Sequence, residues 1–141
     1  MLWIHPLLQL AALLLGVHVL RMGVNRFRFQ HLKRKCAFDW KGHVRYGKIV
    51  VWTWLAGLVI GAYAAERAWG TAGLTGPHHA VGLIMLPLLL AGLVTGFILQ
   101  KPSGKRPGLA LAHGAANAAA FALALYQVWS GAEAVRLLLL G

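Results

Sequence analysis

The chain has one cysteine and only three acidic residues among its 141, and each shortage closes a line of chemistry. A lone thiol, Cys36, cannot form an intramolecular disulfide. There is no C-x-x-C-H, so covalently attached haem is excluded by motif. Zinc sites usually add cysteine or carboxylate to histidine, and the apolar segments offer almost none of either. A polar surface is also missing. With 59% hydrophobic residues and a mean hydropathy of +0.65, the chain is too apolar for a soluble domain, and it has no room for a soluble catalytic module. A single transmembrane domain over residues 1–141 is expected.

What is present in excess is positive charge, net +11. Scattered over a polar surface, that charge would suggest nucleic acid. Here nine of the fourteen Lys and Arg residues lie between Arg21 and Lys48, and Lys101, Lys105 and Arg106 sit together further on. Such clustering between apolar runs is the positive-inside pattern, and no nucleic-acid partner is expected. The stretch from Pro77 to Gln100, PHHAVGLIMLPLLLAGLVTGFILQ, is uncharged apart from its histidines. Roughly 20 such residues, at ~1.5 Å each, cross a hydrocarbon core of about 30 Å. Three more runs repeat the design, giving helices over about 2–22, 43–65, 78–99 and 109–129. The fold class expected is an all-α, four-helix up-down transmembrane bundle.

The first run lacks a charged leader and is followed by basic residues, so it reads as a mature helix and not a signal peptide. The connection Gly23 to Gly42 mixes cations with Phe27, Phe29, Phe38 and Trp40, a composition suited to membrane lipid with anionic headgroups. Both basic connections are expected in the cytoplasm. Four crossings then put both termini outside the inner (plasma) membrane.

Each run carries a histidine near its N-terminal end: His5, His43, His78 or His79, and His113. Polar side chains inside membrane helices are expensive and usually do work in the bundle interior. Because successive helices alternate in direction, His5 and His78 share one membrane side, and His43 and His113 share the other. A 20-residue helix is ~30 Å long, so the two sides cannot serve one metal. In an up-down bundle, helices one and three are diagonal across the core, as are two and four. His18 and His31 read as surface residues. Trp52 and Trp54 lie too deep for a headgroup belt and read as packing residues or cofactor neighbours, and Gly57 and Gly61 leave room for a backbone or a flat ligand. Imidazole suits iron, copper and zinc. Two histidines on facing helices with glycines nearby fit haem held by two axial imidazoles, with Arg45 and Lys48 placed to meet propionates.

HP at the start of helix one, H-x-x-x-G from His78 to Gly82, His43 with nearby Lys48, and His113 opening the last helix resemble the cytochrome b561 family. The resemblance covers about Trp3 to Gly131, with the family's usual flanking helices missing, so a small four-helix relative is the closer match. It implies two haem b groups (iron), one on the first and third helices and one on the second and fourth. It makes His5, His43, His78 and His113 metal ligands and Gly82 part of the cofactor site. The glycine spacing favours His78, with His79 the alternative. The function expected is that of a dihaem membrane cytochrome, an electron-transfer subunit of an oxidoreductase, passing electrons to or from a quinone or other redox subunits. A chain this small is expected in a larger complex or a homo-oligomer. Rival readings are a cofactor-free structural or assembly subunit and a small proton-coupled transporter.

Overall fold

The computed structural model describes every residue except Met1, Ser103, Lys105 and Gly141. Lys105 of the second basic connection and the two terminal residues therefore lie outside the described residues. Four long helices account for nearly all the rest: α1 (Ile4–His31), α2 (Trp40–Trp69), α3 (Pro77–Gln100) and α4 (Pro107–Val135). All four are long and apolar enough to cross a membrane, and the chain forms an all-α up-down bundle. α1 packs against α2 and α4, and α3 against α4 and α2. The pairs α1/α3 and α2/α4 are thus diagonal, as the alternation of direction requires.

Local chemistry sets where each helix begins and stops. α3 and α4 open on Pro77 and Pro107, at the position where a missing N–H costs nothing. α2 opens on Asp39, whose carboxylate accepts from the Gly42 N–H at 2.9 Å. It closes on Gly70 in the left-handed region, φ +73, with its N–H donating to the Glu66 carbonyl. α1 runs nine residues past its expected end at residue 22. Polarity beyond Gly23 does not stop a helix; only a break in backbone geometry does, and that comes at Lys33, φ +55, where the Leu32 and Arg34 N–H groups both turn back to the Arg28 carbonyl. α2 likewise extends to Trp69 and α4 to Val135, followed by a π-turn over Arg136–Leu140.

The core lies halfway along the bundle. Ala12 and Leu13, Val50, Val51 and Trp54, Met85 and Leu89, and Ala120 and Ala124 form one buried cluster drawn from all four helices. Elsewhere large apolar side chains face outward: Leu7, Leu14, Val59, Leu83 and Leu125 are all exposed. In water such a surface would aggregate; in lipid it is the solvated one. The two deep tryptophans divide between these environments. Trp54 is 5% exposed and lies in the core, whereas Trp52 is 55% exposed and faces outward, so of the two expected as packing residues or cofactor neighbours only Trp54 turns inward.

Leu89 is completely buried at the centre of this cluster. Leu89→Ala is expected to lower unfolding free energy by about 2–5 kcal/mol, measured by denaturation in detergent micelles. Val59→Ala on the outward face should change it by less than about 0.5 kcal/mol.

Candidate functional site: two histidine pairs

The four helices carry their key residues in one shared register. Eighteen residues after His5, His43, His78 and His113 stand Gly23, Gly61, Gly96 and Gly131. Eighteen residues are five full turns, about 27 Å, so each glycine shares its histidine's face at the other end of the helix. Between them, seven and eleven residues on from each histidine, come Ala12 and Gly16, Val50 and Trp54, Met85 and Leu89, and Ala120 and Ala124, every one buried. In an antiparallel pair this register sets the histidine of one helix against the glycine of the other. A Cβ on Gly61 would come within 2.7 Å of the His5 ring, one on Gly131 within 3.0 Å of His78, one on Gly96 within 3.2 Å of His113, and one on Gly23 within 3.5 Å of His43. The glycines are seats for the imidazoles.

Seated this way, the histidines meet in twos across the diagonals. His5 and His78 have ring centroids 6.0 Å apart with planes at 90°. At the opposite, basic end His43 and His113 stand 6.3 Å apart at 74°. His79 takes part in neither contact. Exposed His18 sits edge-on to Tyr46, and His31 stacks on Phe27. Among the described residues no three or more His, Cys, Asp or Glu side chains converge as a metal site would need, so the chain offers its imidazoles strictly in pairs.

Hydrogen bonds fix which ring nitrogen is free. His5 Nδ1 lies 2.9 Å from the Gly57 carbonyl and His113 Nδ1 lies 3.1 Å from the Gly92 carbonyl. A carbonyl only accepts, so both Nδ1 atoms carry the proton and both Nε2 atoms keep the lone pair. Thr95 Oγ1 is also 3.0 Å from His113 Nδ1, and the Asn117 side chain donates to the His113 carbonyl at 2.8 Å. His78 Nδ1 is 3.1 Å from Ser130 Oγ. His43 differs: its Nδ1 is buried, and the Val19 carbonyl approaches without reaching hydrogen-bonding geometry.

The space around the two pairs is unequal. At the basic end a cavity of about 710 Å³ is walled by His43 and His113 together with Gly16, Gly47, Gly92 and Trp54. That volume is in the range of small-molecule and cofactor sites. The cavity reaching the other pair is about 270 Å³ and touches His78 but not His5. There the room is taken by side chains: Gln9 lies on Gly57, and Leu58 and Gln127 lie on Gly82. Gly57, Gly61 and Gly82 thus make room for neighbouring side chains.

Of the two cations singled out by sequence, Lys48 lines the basic-end cavity, with Nζ 4.9 Å from the Phe97 ring centre. Arg45 is exposed, lies over Tyr46, and forms no part of the wall. Arg26 and Arg106, read from sequence only as members of charge clusters, line the mouth. Arg26 lies over Phe38, and Arg106 Nη1 donates to the Ile98 carbonyl at 3.0 Å.

Gly61→Ala, which forces a methyl against the His5 ring, is expected to cost about 1–3 kcal/mol of stability. Gly108→Ala, where a Cβ meets nothing within 4 Å, should be neutral or slightly stabilising. Thermal unfolding in detergent compares the two. No family model matches this chain, and no curated protein or solved structure matches it either, so the site is read from its own geometry.

Proposed function

We propose that this chain is a small dihaem membrane cytochrome, similar to the cytochrome b561 family, which binds two haem b groups and carries electrons from one membrane face to the other. The observation that carries the reading is the pairing of the histidines. Two histidines that would hold one iron between them must bring their rings close together from facing helices. The pairs stand at 6.0 and 6.3 Å. Two protein ligands per site are too few for structural zinc, which takes four, but they suffice for an iron whose other ligands come from a macrocycle.

Bound haem supplies one-electron chemistry at a potential tuned by its surroundings, and the chain's own residues do the rest. His43 and His113 hold the iron at the basic end, where the cavity leaves room for the ring and Lys48, Arg26 and Arg106 can meet its carboxylates. His5 and His78 would be the ligands at the other end, where the cavity of about 270 Å³ does not reach His5 and a macrocycle would have to displace Gln9, Leu58 and Gln127. The central cluster around Trp54, Met85 and Leu89 keeps water out of the path between them. A quinone or a redox protein exchanges electrons with either end, in a larger complex or a homo-oligomer. The basic end faces the cytoplasm, in the inner (plasma) membrane, with both termini outside.

A visible spectrum of the purified protein should show the sharp reduced α-band of bis-imidazole haem, and a colourless protein would sink the reading. Single replacements His5→Ala, His43→Ala, His78→Ala and His113→Ala should each remove about one haem per protein, whereas His18→Ala and His79→Ala should remove none. Retention of both haems in His5→Ala or His113→Ala would overturn the pairing. Reporter fusions to the C-terminus should report an exterior location, and a cytoplasmic signal there would reverse the assignment of sides.

A further inference from the structure

Of the four imidazoles, His43 is the one least held by the neighbouring helices. His5 and His113 face backbone carbonyls and His78 faces Ser130, but the buried His43 Nδ1 has no well-formed partner. Its glycine seat is also the loosest of the four, with Gly23 at an ordinary contact distance of 3.5 Å. What meets the ring instead is Phe38, from the connection between α1 and α2. The two ring centroids are 5.4 Å apart with planes tilted by 56°, inside the range of about 4.5–7 Å over which aromatic pairs attract. The contact follows from the way α2 begins. Asp39 is its N-cap, so Phe38 stands just before the cap and His43 at the fourth helical position, the two places that pack together in a hydrophobic staple.

Phe38 is in turn fixed from α1. The Arg26 guanidinium stands 5.4 Å from its ring centre and 5.9 Å from that of Phe29, a cation–π arrangement, and the Asn25 side chain donates to the Ala37 carbonyl at 3.4 Å. Phe27, Phe29 and Trp40 in the same connection are exposed, whereas Phe38 is half-buried and, with His43, walls the cavity of about 710 Å³. We infer that Phe38 is a positioning residue that sets the plane of the His43 ring by an aromatic contact, in place of the hydrogen bond that orients the other three imidazoles. The inference rests on the reading of His43 as a haem ligand, at the end of the bundle where the cavity leaves room for one. Groups that orient a ligating histidine from outside contribute to its hold on the metal.

Two readouts separate this inference from the reading beneath it. In the haem-loaded protein, Phe38→Ala should speed transfer of the haem that His43→Ala removes to a haem-scavenging protein by about 2–10-fold, the worth of one aromatic pair. It should also shift the g-values of that oxidised haem, which follow the angle between its two imidazole planes. Phe38→Leu, which preserves an apolar staple but not the ring, should do the same, and Phe38→Tyr should restore both. Asp39→Ala takes away the cap of α2 while leaving both rings, so it should lower thermal stability and leave the g-values in place. In haem-free protein, nuclear Overhauser contacts should join the ring protons of Phe38 and His43, the latter identified by their loss in His43→Gln. Unchanged transfer or unchanged g-values in Phe38→Ala overturn the inference, as does an equal shift in Asp39→Ala or the absence of ring contact in the wild-type chain. If the chain binds no haem, the proposed function fails and the ring contact alone decides whether Phe38 holds His43.

Discussion

An imidazole inside a helical bundle has to be placed against a backbone whose hydrogen bonds are already made, and it fits only where the opposing residue has no side chain. The bundle meets that condition tightly at His5, His78 and His113, and at His43 the opposing Gly23 leaves ordinary contact distance. A glycine five turns from each histidine brings it opposite the histidine of the antiparallel neighbour. The residues between them on the same face supply the central core. The helices thereby acquire a common axial register, and the rings meet across the diagonals. The remaining ring proton is then handed to whatever acceptor the neighbouring helix presents, two carbonyls and one hydroxyl, while His43 meets the Val19 carbonyl in poorer geometry.

Lipid makes this arrangement possible. In water, helices whose interior faces carry histidine, glycine and alanine would have too little apolar burial to hold together, since the buried cluster is confined to the middle of the bundle. In a membrane, outward-facing leucine and valine need no burial, and association comes from close backbone approach and interhelical hydrogen bonds. The contacts His5 to Gly57, His78 to Ser130 and His113 to Gly92 are bonds of that kind, so the same side chains that build the site also hold the helices to one another.

Helix number, direction and the diagonal pairing could be read from the sequence because each rests on a strong and simple signal: uninterrupted apolar length, and one histidine near the start of each run. Helix ends could not, because loss of apolar character does not end a helix. Arg26 and Arg28 leave the apolar zone without leaving the helix, and the true stop at Lys33 is a backbone conformation with no compositional mark. Facing was equally hard to read from depth alone. Trp52 and Trp54 are two residues apart, about 200° around the helix, and end on opposite sides of it. Arg45 and Lys48 are three residues and about 60° apart, yet only Lys48 lines the cavity. The histidine-to-glycine spacing of eighteen is present in the sequence, but a repeat five turns long leaves no local mark.

One register therefore generates two ends, but the residues outside the register make them unlike. At the basic end a large cavity opens beside His43 and His113, although Asn117 lies on Gly92 and Phe121 on Gly16, and His43 meets the Val19 carbonyl less well than His113 meets Gly92. At the other end Gln9, Leu58 and Gln127 crowd the glycines, and both imidazoles are hydrogen-bonded. The two ends therefore differ in open volume although one register builds both.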